Sequence, residues 1–334
     1  MSGIVYNGST AGNIMINGVV PNVYYNGSKI WPEDPPYNPY NLPDNTVRVK
    51  VEPGWTPTWG YERTLVDANE NIWDITYYLF DADDTEYMFN VNPTKLIEVL
   101  GANLGTNTST YRMFKDCTNL TSVSLFETRY ITKMEEMFIG CTSLTSVPLF
   151  NTSKVTNMAN MLRGCISLIS VPLFNTSNVT NMNGMLFNCN LLTSVPAFDT
   201  SNVTSLAATF EYCSSLTTLP SFNTSKVTDM NYMCAHCSAL TTLPTFNTSK
   251  VTDMRYMCVN CTSLTKVPLL NTSSLLNAIA MFANCYKVTY GAYALYNQMA
   301  NQLNVPTHTQ CFTNCGRDTT TGAAELAQIP TGWK

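Results

Sequence analysis

Charged residues, histidine and long apolar runs are all scarce in this chain of 334 residues. Only 12% of the residues are charged, about half of what soluble domains carry, which argues against a disordered tail and a coiled coil. The net charge of −5 argues against a nucleic-acid-binding surface, which needs clustered lysine and arginine. The two histidines, His236 and His308, leave little for acid–base or metal chemistry. No stretch reaches the roughly 20 apolar residues of a membrane-spanning helix.

Export signals are also absent from the first residues. Met1–Gly8 has no basic segment followed by a long apolar one, as a secretory signal would have. The first cysteine is Cys117, so no lipid anchor on an N-terminal cysteine is expected. We therefore expect a protein that is made in a cytosol and stays there, or leaves it without secretion.

Repetition is what the chain has in abundance. Cysteine recurs at an unbroken spacing of 24 residues, and columns of leucine and valine keep the same step. The unit reads M-F-x-x-C-x-x-L-T-S-V-P-x-F-N-T-S-x-V-T-x-M. A fixed period of roughly 20–50 residues indicates stacked repeats with a continuous core. The cysteine ladder, which we interpret as structural, comprises Cys117, Cys141, Cys165, Cys189, Cys213, Cys237, Cys261 and Cys285.

Each repeat divides into two predicted elements. Leu168–Phe174 is short, apolar and bounded by the turn residues Asn175–Ser177, which predicts a strand. Apolar residues then recur every three to four positions up to Cys189, which predicts a short helix. The predicted fold class is an α/β solenoid, a right-handed stack of strand-plus-short-helix coils, with a small β-rich N-terminal region.

One strand position varies in a way that predicts exposure. The residue after the repeated proline changes among leucine, alanine, serine and threonine, while the next residue is almost always phenylalanine. A position that tolerates such changes is expected at the surface, with the phenylalanine buried. The candidate exposed strand positions are Leu149, Leu173, Ala197, Ser221, Thr245 and Leu269.

The repeated M-F-x-x-C-x-x-L-T-S-V-P resembles the BspA-type leucine-rich repeats of bacterial and phage surface proteins. The resemblance covers about Leu96 to Trp333, and the period falls in the leucine-rich-repeat range of roughly 20–29 residues. It implies binding, adhesion or surface display, and it brings no catalytic residue with it. We identify the chain as a phage-encoded member of this group.

The chain outside the central repeats divides by composition. Asn-Gly recurs in Tyr6–Ser9 and Tyr25–Ser28, and each is a strong hairpin signal between apolar runs. The residues around Ala292–Met299 are expected to be helical. The predicted organisation is a hairpin anchoring segment at 1–32, a proline-rich linker at 33–45, a β-rich lead-in at 46–87, the solenoid at 88–290 and a C-terminal cap at 291–334.

Several motifs have both a functional and a structural interpretation. Cys234, Cys237, Cys258 and Cys261 have the C-x2-C-x20-C-x2-C spacing of a zinc site. Two of them belong to the ladder and two replace a repeated phenylalanine, so core packing is favoured. Free thiols are expected throughout, with Cys311–Cys315 the one place where a disulfide is weighed. Asp81–Glu86 is interpreted as a solvated turn rather than a calcium loop.

Five Asn-Thr-Ser sequons recur at the turn after the predicted strand. They would accept glycans in a eukaryotic secretory protein. The repeat position favours turns in which asparagine and serine bond their own backbone. The five asparagines are Asn151, Asn175, Asn223, Asn247 and Asn271.

The predicted function is non-enzymatic. No Ser-His-Asp set, cofactor motif or metal site is predicted. We expect a structural or display protein of a bacteriophage particle, a head or tail fibre or decoration component located in the virion. Its expected partners are other virion proteins through residues 1–32, a host surface protein or glycan, and further copies of the chain. The alternatives are a BspA-type adhesin at a bacterial cell surface and a carbohydrate-binding accessory module.

Overall fold

The structure is a computed structural model whose chain divides into two compact units, Met1–Tyr37 and Asn38–Lys334. In the first unit, β1 (Val23–Tyr25) pairs antiparallel with β2 (Ser28–Ile30). These strands flank Asn26-Gly27, which confirms the hairpin predicted there. The hairpin predicted at Tyr6–Ser9 and residues 33–41 of the predicted proline-rich linker lie outside the described residues. The structure describes residues 23–25, 28–30, 42–58, 62–76, 88–89 and 92–334.

The second unit begins with a five-stranded sheet in the order β4-β5-β3-β6-β7. Strand β3 alternates as predicted, with Val47, Val49 and Val51 in the core. Strands β6 and β7 are parallel, and Glu98 pairs with Ser122, one repeat further along. The lead-in strands and the first repeat therefore share one sheet. The strands are β3 (Thr46–Val51), β4 (Glu62–Asp67), β5 (Ile72–Thr76), β6 (Leu96–Asn103) and β7 (Ser122–Val123).

Successive repeats, here called coils, stack on one another in register. Parallel bridges link the same position in every coil, beginning with Ser109 to Lys133 and Lys133 to Asn157. The bridges continue in steps of 24 residues to Asn277, and the last one joins Asn277 to Thr307, a step of 30. The period of 24 residues agrees with the sequence prediction. The handedness of the stack stays a prediction.

The prediction of a short helix in each coil is wrong. Its place is taken by consecutive turns that contain two residues with positive φ, such as Asn160 at 54° and Gly164 at 77°. The amide of Asn160 donates to the carbonyl of Asn183 in the next coil, at 2.8 Å. The neighbouring amide of Met161 closes a turn on Met158 at 3.2 Å. An α-helix would need right-handed residues and amides that all donate four residues back, so this alternation excludes it.

In most coils the predicted strand is an extended segment that lacks a continuous series of backbone hydrogen bonds to the neighbouring coil. In the coil that contains Leu168–Phe174, the amide of Ile169 donates to the carbonyl of Thr145 at 3.0 Å. Pro172 has no amide hydrogen and cannot extend the pairing. Between Cys117 and Cys285, Ser122–Val123 is the one segment that forms a strand longer than a single bridged residue. A 3₁₀ helix at Pro93–Lys95 precedes β6, and both α-helices of the described chain lie after the coils. The fold is therefore richer in turns and parallel bridges than the predicted α/β class.

The core is one cluster of buried side chains that continues from the sheet through the coils to the C-terminus. The predicted inward columns of cysteine, leucine and methionine are buried, as shown by Cys189, Leu192 and Met182. The repeated phenylalanines are buried as well, and the rings of Phe114 and Phe138 stack with centroids 5.2 Å apart. Each coil contributes one layer to this continuous core.

Two helices close the C-terminal end of the stack. The helix predicted around Ala292–Met299 is confirmed as α1 (Ala292–Ala300), and α2 (Thr320–Gln328) follows. A 3₁₀ turn at Thr331–Trp333 ends the chain, and the Trp333 ring stacks on His308 at 3.8 Å between centroids. These elements cover the last coil, as a terminal cap must.

Hydrogen bonds link α1 to the stacked coils and to α2. The side-chain amide of Gln298 donates to the carbonyl of Leu270 at 2.6 Å and to the hydroxyl of Thr272 at 3.0 Å. The Glu325 carboxylate accepts from the backbone amide of Gly291 at 3.3 Å. This places a negative charge at the amino end of α1, where the helix dipole favours it.

Candidate recognition face

A regular exposed surface follows from how the extended segment of each coil is packed. After Cys189, Leu192 and Val195 point into the core, whereas Thr193 and Ser194 lie at the surface. The equivalent positions of the other coils repeat this pattern. We call the exposed positions four, five and eight residues after each ladder cysteine the hydroxyl face.

All six residues singled out as candidate exposed positions lie on this face. Their exposed fractions reach 40% for Leu149, 59% for Leu173 and 71% for Leu269. Ala197, Ser221 and Thr245 are exposed as well. Whether these residues contact a ligand stays a prediction.

Threonine hydroxyls form a ladder along the face. The hydroxyl of Thr241 donates to the backbone carbonyl of Thr217 at 3.3 Å, and Thr265 donates to Thr241 at 3.0 Å. Each such bond links two successive coils. Ile169 stands in this threonine column with 60% of its side chain exposed, next to the exposed Leu149 and Leu173. The face therefore combines a hydroxyl ladder with an aliphatic patch.

Charge is nearly absent from the hydroxyl face. From Thr121 to Leu269, Lys266 is the one charged residue at these positions. The charged side chains of the coils lie instead in the turn segments, as with the Arg112–Glu136 ion pair at 2.6 Å. A surface of this composition offers hydroxyl hydrogen bonds and aliphatic contact without a desolvated charge, which suits an uncharged partner surface.

The cysteine ladder is structural in its geometry. The thiol of Cys213 donates to the carbonyl of Leu186 at 3.1 Å, and burial raises its pKa to about 12. All twelve cysteines of the chain are buried free thiols, including Cys311 and Cys315. Because reactivity requires the thiolate, these side chains act as small core residues with a hydrogen-bond donor.

The four cysteines with zinc-like spacing are part of this core. Cys234, Cys237, Cys258 and Cys261 are fully buried. The thiols of Cys237 and Cys261 donate to backbone carbonyls at 3.0 and 3.1 Å, as elsewhere in the ladder. Within the described part of the chain, no three His, Cys, Asp or Glu side chains are grouped as metal ligands. Asp81–Glu86, the calcium candidate, lies outside the described residues.

The Asn-Thr-Ser sequons form the turn that joins one coil to the next. The Asn175 side-chain oxygen accepts from the amide and the hydroxyl of Ser177, at 3.2 and 2.8 Å. The buried hydroxyl of Thr176 donates to the carbonyl of Asp199 in the following coil at 2.9 Å. The predicted turn chemistry is confirmed, and the middle threonine adds an interior ladder that the sequence analysis missed.

Aromatic side chains occur in the turn segment before the ladder cysteines and at one position of the hydroxyl face, Tyr290, which is 51% exposed and has the Lys266 ammonium 5.2 Å from its ring centroid. Tyr212 stacks on His236 with ring centroids 4.2 Å apart, and Tyr232 stacks on Tyr256 at 4.7 Å. The sequence could have indicated this stacking, because the two members of each pair are one repeat apart and so occupy the same position in successive coils.

Burial also perturbs a carboxylate in this turn segment. It raises the pKa of Glu211 to about 7, and the positive charge of Arg163 partly opposes the shift. Burial lowers the pKa of His236, whose Nδ1 lies 3.3 Å from the side-chain nitrogen of Asn260.

The described part of the chain contains no helix long and apolar enough to cross a bilayer.

Several solved structures are similar to this chain. A leucine-rich-repeat protein of T. pallidum is 16% identical with a TM-score of 0.39, and the match covers 57% of this chain and 82% of that one. A leucine-rich-repeat protein of Eubacterium ventriosum is 18% identical with a TM-score of 0.37, covering 59% and 60%. A leucine-rich cell surface protein of Faecalibacterium prausnitzii is 16% identical with a TM-score of 0.35, covering 70% and 93%.

At the level of sequence, no curated protein matches the chain. One protein family does match, over residues 108–216 and again over 188–294. Together these matches span more than half of the chain and coincide with the stacked coils. The chain therefore belongs to the family described as "Mycoplasma protein of unknown function, DUF285".

Proposed function

We propose that the chain is a non-enzymatic binding protein of the adhesin type, which recognises an uncharged partner surface through the hydroxyl face. The observation that carries the proposal is the near absence of charge on this face from Thr121 to Leu269. Exposed surface normally carries much of a protein's charge. Here the charged side chains of the coils lie in the turn segments, and one long face is left to hydroxyl and aliphatic groups.

The rigidity of the face supports a role in recognition. Five threonines that lie four residues after a ladder cysteine are each held by a backbone bond and a hydroxyl bond to the preceding coil, as Thr265 is to Thr241 at 3.0 Å by both. The five are Thr121, Thr217, Thr241, Thr265 and Thr289. A surface that is fixed before binding loses little conformational entropy when the partner arrives. The aliphatic patch of Leu149, Ile169 and Leu173 adds apolar area that a partner would remove from water.

We propose display at a bacterial cell surface for this binding protein. The family description names Mycoplasma, a bacterial source, and this supports a bacterial location. The virion role expected from the sequence places the same face on a phage particle and has no support in the comparisons. Mass spectrometry of membrane fractions and of purified particles from the source organism distinguishes the two locations.

The binding proposal is tested with defined panels. The full chain is labelled and applied to a glycan array and to a panel of purified extracellular-matrix proteins. The same measurements are made on the double variant Ala197→Glu/Ser221→Glu, which places two negative charges in the middle of the face. Lys250→Glu, at an exposed position outside the face, is the control for a change in net charge.

We expect wild type and Lys250→Glu to bind the same array members with similar affinity. The double variant should lose at least about tenfold in affinity, because each buried charge without a partner carries a desolvation cost. Circular dichroism melts verify that the exposed substitutions leave the fold intact. Absence of binding on both panels, or equal binding by the double variant, would contradict the proposal.

A further inference from the structure

Glu211 is a half-buried carboxylate for which the described chain provides no bonding partner. It lies in the turn segment, two residues before the ladder cysteine Cys213. Its side-chain oxygens form no hydrogen bond and no ion pair with a described residue, and burial raises its pKa to about 7. Taking a carboxylate out of water without replacing its hydrogen bonds costs free energy. A group left in this state is a candidate for binding a ligand.

Aromatic rings lie in the coils on both sides of this carboxylate. Phe187 occupies the same position in the preceding coil, and its ring forms a T-shaped contact with Tyr212, with centroids 5.5 Å apart. Tyr212 follows Glu211 in the chain and is 40% exposed. Tyr232 lies in the next coil, where burial, then Tyr256, then the charge of Glu211 raise its pKa. Because the faces of such rings attract cations, they favour a positive group at Glu211.

A cation without a carboxylate partner lies two coils before Glu211. The Arg163 guanidinium stacks on the Phe187 ring, 3.7 Å from its centroid, and forms no ion pair with a described residue. Arg163 and Glu211 occupy the same position in coils two repeats apart. Because neighbouring strands are about 4.8 Å apart, these two backbone positions are separated by roughly 10 Å. The surface therefore presents one negative and one positive group with an aromatic ring between them.

We propose that Glu211, with Phe187, Tyr212 and Tyr232, binds a basic side chain of a partner protein, while Arg163 binds an acidic side chain of the same segment. Both charged groups then gain charge-assisted hydrogen bonds. A polyproline II helix has three residues per turn and a rise of about 3.1 Å, so its side chains three residues apart lie on one side, about 9 Å apart. A segment of the form Lys-Pro-Pro-Glu therefore matches the two charges, and its prolines suit an aromatic surface.

The site lies in the turn segment, outside the hydroxyl face, so this inference does not rest on the proposed binding function. The test titrates the full chain with acetyl-Lys-Pro-Pro-Glu-amide and follows the peptide by saturation-transfer difference NMR. A matched peptide contains acetyl-lysine, which has no positive charge. The dissociation constant should rise at least about fivefold for this peptide, and likewise for Glu211→Gln with the original one. Glu62→Gln removes the same charge at an exposed position outside the coils and should bind as wild type does.

Dependence on pH distinguishes Glu211 from a general effect of charge. The carboxylate pairs with a cation when it is ionised, and its pKa of about 7 makes the ionised fraction rise about fourfold between pH 6.5 and pH 8. Near it, Arg163 stays charged, while burial raises the pKa of Tyr232 and lowers that of His236, so these groups change little in this range. Wild type should bind about fourfold more tightly at pH 8, and Glu211→Gln should lose this dependence.

Three results would overturn the proposal. The first is absence of binding at millimolar peptide, and the second is equal binding of the two peptides. The third is wild-type affinity, with the same pH dependence, in Glu211→Gln. Choline supplies a positive charge without an N–H donor, so it should bind more weakly than the lysine peptide. Tighter binding of choline would assign the site to a small quaternary ammonium compound and would likewise overturn the assignment to a protein side chain.

Discussion

The thiol of Cys237 donates a hydrogen bond to the backbone carbonyl of Phe210, in the preceding coil, at 3.0 Å. The same bond recurs in seven successive coils, always to the carbonyl 27 residues earlier, at 3.0–3.3 Å. Free cysteine is a small, readily buried residue with a weak donor. The cysteine column therefore fills the core and links the coils at the same time.

Replacing one ladder cysteine should weaken the stack modestly. In Cys213→Ala, the thiol that donates to Leu186 is lost and a small cavity is left. We expect a loss of about 1–2 kcal/mol in the free energy of unfolding, measured by urea denaturation. Cys213→Ser keeps a hydrogen-bond donor, so less of the free energy that the bond contributes should be lost. Its hydroxyl group is, however, more polar than the thiol that it replaces in the core. Unchanged stability in the alanine variant would show that the thiol bond contributes nothing.

The thiols should be inert in the folded protein. The pKa of every one of the twelve cysteines is raised. The hydrogen bond with Cys258 and then burial raise it at Cys261. Burial is the main cause at the other eleven, for Cys165 to about 12 and for Cys189 well above the ordinary value. A thiol reagent such as 5,5′-dithiobis(2-nitrobenzoic acid) should therefore titrate almost none under native conditions and all twelve in denaturant. Fewer than twelve reactive thiols in denaturant, without reductant, would instead reveal disulfides in the purified protein.

The buried leucine column offers a sharp comparison of neighbouring residues. Leu192 is fully buried and Leu191 exposes 51% of its side chain. Leu192→Asp places an unpaired charge in the core and should cost more than about 3 kcal/mol, enough to unfold the central coils. Leu191→Asp introduces the same group into solvent and should melt within a few degrees of wild type. Similar melting temperatures of the two variants would show that the assignment of Leu192 to the core and of Leu191 to the surface is wrong.

The period of the sequence predicted these buried columns because each coil repeats the same contacts one layer further along. The predicted helix failed for a local reason. Apolar residues at Met158, Met161 and Cys165 have helical spacing, yet the same spacing fits turns with left-handed residues at Asn160 and Gly164. Nothing in the apolar pattern distinguishes the two. The cue lay at the second left-handed position of the coils, where seven of nine residues are glycine, asparagine or aspartate, the types that most readily adopt positive φ. The first left-handed position gave no such cue, because it holds residues such as Arg112 and Tyr232.

The hydroxyl face was predictable only in part. Variation at positions such as Ser221 indicated exposure, and the structure places those residues at the surface. The interior ladder of Thr176 and its equivalents was not predictable from composition, because threonine in a polar turn motif is usually exposed. Its hydroxyl reaches a carbonyl of the next coil only once the coils are stacked, so the signal lies in the tertiary structure.

That interior ladder can be tested with a substitution of nearly equal shape. Thr200 is buried and donates to the carbonyl of Asn223 at 2.9 Å. Thr200→Val removes the hydroxyl and should cost about 1–2 kcal/mol. Thr204 is exposed and donates to the carbonyl of Thr180 at 3.2 Å, so Thr204→Val should cost much less. Equal losses in urea denaturation would mean that burial does not strengthen the ladder bond.

Glu211 should make stability depend on pH. Burial raises its pKa from 4.5 to about 7, with Arg163 opposing the shift, so the folded protein favours the neutral acid. Stability from this group is complete below pH 4.5, falls as pH rises through 7 and is absent above it. Glu211→Gln keeps the shape without the charge. The variant should therefore melt higher than wild type at pH 8, and this difference should shrink as the pH falls to 4.5. A difference in melting temperature that does not change between these two pH values would show that Glu211 has an ordinary pKa in the folded state.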